Sequence, residues 1–473
     1  MTSDATGGAC PSPAQVLREL WLAAGGEPGA LANVELTGAD PALPSSFRVG
    51  TAAQTAIASA GLAAAEIWRR RTGRSQGVSV DMRHAAIEFR SELYVSLDGK
   101  PVRLVHDKVH GVYRTRDDRI VRIHARFPHH RDGVLKLLGC AHERSAVEAA
   151  LLKWDAEPFE AAAAGANVIA TMLRSSAEWA AHPQGQAVAA LPLLEITRIG
   201  EAPARPFPAG AERPLSGIRA LDLTRVIAGP VAGRTLAAHG ADVMRITAPH
   251  LHGDPDLDID LGRGKLSAAL DLRADDERER LAALVRDSHI FVQSYRPGAL
   301  AGLGFAPEAL AEMRPGIIAV SLSAYGHAGP WARRRGFDSQ VQNASGINHA
   351  EAEALGVPPP KELPAQALDH ASGYLMAFGA TMALLRKARE GGSWHVRVSL
   401  AQTGHWLSGL GRLESGFDCP KPTREEVEAL CDAMASPFGQ LAFIRHAASL
   451  SETPAGWTRP PVPLGTHAPL WPV

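Results

Sequence analysis

The run LPAQALDHASGYLMAFG places an aspartate, Asp369, at the head of a helix-forming stretch, with a glycine four residues on at Gly373. A carboxylate in that position can do two things. As an N-cap it accepts a hydrogen bond from the free N–H groups of the first turn, which stabilises a helix by about 1 kcal/mol. As a chemical group it feels the positive end of the helix dipole, which keeps it ionised and able to attack an electrophilic carbonyl. The expectation combines both: Asp369 caps a helix and stays charged. Other reactive residue types are less well arranged. Cys10, Cys140, Cys419 and Cys431 are scattered and form no CxxC pair, the pattern of reduced thiols in a cytosolic protein. His106, His110, His129 and His130 have no third partner at ligand spacing, so no metal site is expected. The arginines at 69–71 and 333–335 read as helix-end or surface charge.

The elements that must position Asp369 are legible around it. Segment 369–400 aligns without a gap onto 51–82, an offset of 318 (369 − 51). In the later copy Ala371, Leu375, Phe378, Met382 and Leu385 step by four, three, four and three, which makes one apolar helix face. The same offset lands on Ala53, Ile57, Ala60, Ala64 and Ile67. Both helices end in basic residues, then a glycine (Gly73, Gly391), then an alternating strand (Val78/Val80, Val396/Val398). This register of helix, basic end, stop and strand predicts a structural duplication. Thr51 stands where the second copy has Asp369, so the first copy lacks the candidate nucleophile.

Upstream, 217–224 (GIRALDLT) reads as a buried strand, Gly229-Pro230 as the opening of a helix that stops at His239-Gly240, and 241–246 as a second strand. This is a β-α-β unit, and its parallel sheet is expected to continue through 289–295 and 317–322. With 473 residues, more than one domain is required. The resulting fold class is α/β, a Rossmann-like parallel sheet domain plus a smaller α/β domain. The expected division is an N-terminal segment at 1–46, a partial repeat of the helix-strand element at 47–90, a small α/β domain at 91–205, the large domain at 206–405 and a tail at 406–473 that returns to the large domain.

Lys+Arg 49 against Asp+Glu 50 gives a formal charge of −1, which leaves no overall field to hold nucleic acid or an anionic membrane. The N-terminus lacks the basic and apolar regions of a signal peptide, and Thr51 to Trp68 is too polar for a membrane span. The chain is expected to be cytoplasmic, without nucleic-acid or membrane partners.

Five segments in order over about 213–405 carry a resemblance: LSGIRALDLTRVIAGPVAGRTLAAHGADVMRI, GRGKLSAALDLRADDERERL, SHIFVQSYRPGALAGLGF, RPGIIAVSLSAYGHAGPWARRRGFDSQVQNASG and ALDHASGYLMAFGATMALLRKAREGG. They resemble the class III (CaiB/BaiF-type) CoA-transferase family. HGVYRTRDDRIVRIHARF with EWAAHPQGQ is similar to that family's small domain, and TPAGWTRPPVPLGTHAPL to its C-terminal tail. The order is unusual, because the small-domain portion precedes the large-domain portion. The chain therefore resembles a rearranged, partly duplicated member.

The resemblance implies that Asp369 is the catalytic nucleophile, in the family's Asp-x-x-x-Gly context. It implies CoA contacts at Ile227 and Ala228 after the first strand, and along Leu270, Asp271, Leu272 and Arg273 at the adenosine, with Arg273 on a phosphate. Further contacts are implied at Ser294, Tyr295 and Arg296, and at Arg335, Gly336, Phe337 and Asp338 near the pantetheine arm. Arginine guanidinium groups suit bidentate phosphate contact. Thr247-Ala248 and Gly302 stand where the family carries charged anchors, so two are missing here. No cofactor is implied as tightly bound; coenzyme A and acyl-CoA enter as substrates, with a carboxylic acid as acceptor. A homodimer is implied as well, since family members interlock in pairs. The implied reaction moves CoA between acids through an aspartyl anhydride and an aspartyl-CoA thioester, with thioester energy conserved and no metal or ATP. Two alternatives share the fold. One is an acyl-CoA racemase, disfavoured because Phe337 stands where those enzymes carry a histidine. The other is a catalytically degenerate CoA-binding subunit, favoured by the lost anchors and opposed by Asp369.

Overall fold

A computed structural model describes residues 10–207 and 211–472. Its centre is a seven-stranded sheet in the order Lys265–Ala269, Asp242–Thr247, Arg219–Leu223, Ile290–Gln293, Ile318–Ser323, Ser393–Ser399 and Glu195–Gly200. The first six strands run parallel and the last is antiparallel to its neighbour. The strands are apolar on both sides because helices cover both faces. On one face Leu221, Met244, Ile246 and Phe291 pack under helices Asp275–Arg286 and Pro307–Met313. On the other, Ala220, Val243, Ile290, Val292, Val320 and Val396 pack under helices Ala228–Ala238 and Ala367–Glu390. The architecture is the expected α/β one. From strand Arg219–Leu223 the chain builds first to one side and later, from Ile290–Gln293, to the other. That reversal opens a crevice at the carboxyl ends of the two central strands, where ligands of doubly wound sheets bind.

The helices of the sequence repeat, Val49–Thr72 and Ala367–Glu390, are 24 residues each and stop at Gly73 and Gly391. They pack on one another along alanine-rich faces and are buried nearly all round through Trp68 and Leu384. Each leads into a strand with the same surroundings. Val78–Asp81 has a parallel neighbour, Val34–Thr37, and an antiparallel one, Ala448–Leu450. Ser393–Ser399 has a parallel neighbour, Ile318–Ser323, and an antiparallel one, Glu195–Gly200. The antiparallel strand comes in both cases from the opposite half of the chain. The two halves thus exchange strands reciprocally.

Residues 109–172 form a separate layer. Strands Gly111–Arg114, Ile120–Ile123 and Ala170–Met172 carry helices Pro128–Leu138, Arg144–Leu151 and Ala156–Gly165 on a core of Val121, Ile123, Val134, Val147, Leu151 and Phe159. The C-terminal stretch divides its contacts. Strands Cys431–Ser436 and Gly439–Ile444 join Ser96–Leu97 and Lys100–Pro101 in a four-stranded sheet. Residues 457–472 return to the large sheet, where Trp457 Nε1 donates to the Arg234 carbonyl at 2.9 Å and Gly465 N–H donates to Ser267 Oγ at 3.1 Å. The halves are also joined by buried charge: Arg234 donates to Asp260 Oδ2 at 2.7 Å and to Ser91 Oγ at 3.0 Å. Among the described residues no helix is long and apolar enough to cross a membrane.

Candidate functional site

Asp369 does not cap its helix. The helix starts at Ala367 with Gln366 as the flanking residue, so Asp369 is the third residue of the first turn. Its backbone N–H donates to Asp338 Oδ2 at 2.9 Å, and the other Asp338 oxygen accepts from Gln342 Nε2. The capping carboxylate is therefore supplied by a neighbouring helix, Asp338–Ala344, which frees the Asp369 side chain from that duty. The expectation that Asp369 stays ionised is also corrected. Its side chain is held well above the ordinary carboxylate range, first by burial, then by the charges of Asp338 and Glu92. Asp338 is itself pushed up to about 6 by burial, against the lowering effect of its hydrogen bonds. Loss of hydration outweighs the helix dipole here because Asp369 is only 6% exposed.

Gly373 is explained by packing. A Cβ there would lie 2.5 Å from the Ala228 carbonyl oxygen and 2.6 Å from Val231 Cβ. The Asp-x-x-x-Gly spacing thus brings the Asp369 helix flush against the helix that opens at Ala228, with the loop that precedes Ala228 lining the same cavity as Asp369. That loop holds Val226 at φ +70°, a strained conformation for a β-branched residue, and both Val226 and Asp369 line one cavity.

The cavity is about 280 Å³ and sits in the crevice predicted by the strand order. Ile227, Ala228, Ser294, Tyr295, Arg296, Arg335, Gly336 and Phe337 all line it together with Asp369. Leu270, Leu272 and Arg273 line a second cavity of about 150 Å³, together with Thr247 and Ala248. The two cavities share Leu251, Tyr295 and Ala299 as walls, so one elongated ligand could run through both. Asp271 lines neither; Arg273 Nε donates to its Oδ1 at 2.8 Å, which partly offsets the charge meant for a phosphate. Asp338 also stays off the cavity wall, behind Asp369, and accepts from the Asp369 backbone N–H. Gly302 has open space around it and offers no charge.

Other lining residues come from parts of the chain that sequence reasoning did not connect to the site. Phe127, His129 and His130, from the small layer, line the cavity, as do Arg225 and Arg334. Phe337 lies against the His124 ring, centroids 3.9 Å apart. Glu92, from the first half, pairs with His370 Nε2 at 2.9 Å, next in sequence to Asp369. The Glu92–His370 pair spans 278 residues and no local pattern announces it. The His129-His130 doublet was visible, but only the fold brings it to Asp369. Among the described residues no group of three or more His, Cys, Asp or Glu side chains is arranged to hold a metal.

Residues 215–429 match the model of a family described as CoA-transferase family III. An acetyl-coenzyme A transferase of Hypoxylon pulicicidum is 34% identical over 249 residues, 50% of this chain and 42% of that one. A probable fatty acyl-CoA transferase of Mycobacterium tuberculosis is 32% identical over 229 residues, 44% of this chain and 57% of that one. The chain thus spans about half the length of these two relatives. An acyl-CoA transferase of Gibberella moniliformis is 26% identical over 441 residues, 82% of this chain and 77% of that one.

Proposed function

From a CoA-transferase family III segment at 215–429 as premise, we propose that the chain transfers CoA from an acyl-CoA to a carboxylic acid, with Asp369 as the nucleophile. One observation carries this reading: a lone carboxylate lines a cavity whose other walls hold most of the CoA contacts expected from sequence. The Asp369 carboxylate attacks the thioester carbonyl, the C–S bond breaks, and CoA leaves as thiolate, giving a mixed anhydride. The thiolate then attacks the aspartyl carbonyl, releasing the donor acid and leaving an aspartyl-CoA thioester. An acceptor carboxylate attacks that thioester and expels CoA thiolate. The thiolate takes the new acyl group and restores Asp369. Every bond broken is matched by one formed, so thioester energy is conserved.

The side chains around Asp369 fit two needs of this scheme. Both intermediates hydrolyse, and the wall of Phe127, Ile169, Phe337 and Leu400 keeps the cavity apolar on that side. Burial and the charges of Asp338 and Glu92 raise the proton affinity of Asp369, so its nucleophilic, deprotonated form is favoured by higher pH or by a substrate that brings in hydrogen-bond donors. Mixing the protein with an acyl-CoA and hydroxylamine tests the reading, because hydroxylamine traps an aspartyl anhydride or thioester as a hydroxamate. Mass spectrometry is expected to find it on the peptide containing Asp369; turnover without any such adduct would sink the covalent scheme.

A racemase reading has one observation in its favour: His130, buried at 4% exposure, lines the same cavity as Asp369 although Phe337 occupies the usual histidine place. Exchange of the α-hydrogen of an acyl-CoA for deuterium, without acid-dependent transfer, would establish it. The reaction is assigned to the cytoplasm, a reading supported by four free cysteines. The pairing that a homodimer would provide is made here by helices Val49–Thr72 and Ala367–Glu390 of one chain. A homodimer is then an association of two internally paired chains. Light scattering at twice 50.1 kDa supports it, and a mass of 50.1 kDa leaves the internal pair as the whole assembly.

A further inference from the structure

We propose that a cavity on the face of the central sheet opposite the Asp369 helix is an effector site. It binds a small, flat organic monoanion of the aryl carboxylate or sulfonate kind, at the expense of CoA, through one shared arginine, Arg296. Only the coupling to CoA rests on the transferase reading; the site itself does not.

This cavity holds about 190 Å³ and lies where three adjacent parallel strands, Ile290–Gln293, Ile318–Ser323 and Ser393–Ser399, meet helix Pro307–Met313. Alternate residues of a strand share a face, so two rows of side chains run across its floor. Phe291, Ala319 and His395 make one row, and Gln293, Ser321 and Arg397 the next. Phe291 and Ala319 belong to the core on this face of the sheet, whereas the helix that carries Asp369 covers the other. The Phe291 and Phe305 rings lie 8° from parallel with centroids 6.4 Å apart, which gives the cavity a flat apolar wall.

The polar side is short of an anion. His395 is buried at 5% exposure; its Nε2 shares a hydrogen bond with Ser321 Oγ at 2.9 Å, and its Nδ1 has no partner among the described residues. Burial, with the charges of Arg397 and His327 adding to it, pushes His395 down to about 3, so the ring is neutral. Among the described residues no Asp or Glu lines the cavity. Glu195 stands outside the lining, 3.2 Å from Arg397 and 3.6 Å from His327. Arg397 and Arg296 against Glu195 leave a balance of one positive charge, which suits a monoanion better than a phosphate ester. The flat wall and the small volume select a single ring as the body of that anion. Arg296, Pro297, Leu322 and Ser323 also line the Asp369 cavity. A guanidinium drawn to an anion on one side is withdrawn from the other, so the two ligands weaken each other by the same factor.

Calorimetric titration of the full chain with benzenesulfonate tests this, because a sulfonate binds as an aryl anion yet forms no CoA thioester. Benzyl alcohol, the neutral control, is expected to bind about tenfold more weakly, and Arg397→Gln to cost benzenesulfonate about tenfold. Rising CoA is expected to weaken benzenesulfonate about fivefold and then level off, the signature of two coupled sites. Equal binding of alcohol and sulfonate, or an unchanged affinity in Arg397→Gln, overturns the proposal. So does an affinity unmoved by CoA that its own titration shows to be bound. A loss that keeps growing with CoA concentration overturns it as well, since that is competition for one cavity. If Arg397→Gln fails to fold, crystals of the unmodified chain soaked in para-bromobenzoate supply the readout. Bromine anomalous scattering is expected beside Phe291 and Phe305, and bromine at Asp369 alone overturns the site. Benzenesulfonate binding needs neither CoA nor turnover, so its failure is distinct from failure to trap a hydroxamate at Asp369.

Discussion

The starts of helices Val49–Thr72 and Ala367–Glu390 are built on one plan and differ around the capping carboxylate in two side chains. Both helices are preceded by a residue of nearly the same backbone conformation, Arg48 at φ −81°, ψ 59° and Gln366 at φ −75°, ψ 63°. In both, the third helical residue donates its N–H to an aspartate outside the helix: Thr51 to Asp40 at 3.2 Å, Asp369 to Asp338 at 2.9 Å. The first half then closes the arrangement. Thr51 Oγ1 donates to Asp40 at 2.5 Å, and Arg48 Nε sits 3.3 Å from the same carboxylate. In the second half a carboxylate replaces the hydroxyl and a neutral amide replaces the arginine. Asp369 is left facing the cavity with a second acid, Asp338, behind it and no arginine at the position of Arg48. The capping aspartate is thus common to both halves, and what distinguishes the second is the absence of the hydroxyl and arginine that neutralise it in the first.

Substitutions at matched positions break this comparison most directly. Asp369→Ala is expected to reduce transfer by about a thousandfold or more, the scale of losing a covalent nucleophile, while Thr51→Ala stays within about twofold. Steady-state assays with an acyl-CoA and a panel of acids decide it, and a comparable loss at Thr51 would make the first half catalytic. Gly373 and Thr55 form the next pair, at the same offset of 318. Gly373→Ala drives a Cβ into the Ala228 carbonyl and is expected to cost about 1–3 kcal/mol, read from urea unfolding. Thr55→Ala removes only a hydroxyl bound to the Thr51 carbonyl at 2.8 Å and is expected to cost about 1 kcal/mol or less.

The smallest effect is the sharpest. The proposed reactive form of Asp369 is deprotonated, and burial with the charges of Asp338 and Glu92 raises its proton affinity, so kcat/KM should climb with pH on a limb displaced above the ordinary carboxylate range. Gln366→Arg supplies the cation that the first half already has in Arg48. A positive neighbour favours both carboxylates, so the rising limb should move to lower pH. An unmoved limb would mean that the ionisation seen in the rate belongs elsewhere.

How much of this was legible before the structure depends on how far apart the partners lie in the chain. The repeat, the strands of the large sheet and the glycine stops follow from local periodicity, which a single helix or strand fixes. Asp369 could be singled out, but not its exact place in the helix. The helix begins two residues earlier, at Ala367, and the capping role passes to Asp338, 31 residues upstream. Asp338 was expected among the CoA contacts because it continues the Arg335–Gly336–Phe337 strip. It turns inward instead, since it opens helix Asp338–Ala344, whose residues are almost all buried. The ionisation of Asp369 was misjudged because the dipole can be inferred from sequence, whereas desolvation and a second acid depend on packing.

The exchange of strands between halves also sets an order of events. Residues 78–81 are made 370 residues (448 − 78) before the strand that covers their open edge, Ala448–Leu450. Until then the first half presents unpaired backbone amides and carbonyls on that edge, a surface prone to recruiting foreign strands. Any stop codon between the end of the large sheet and residue 448 would therefore produce a chain with Asp369 in place and its opposite half unsealed.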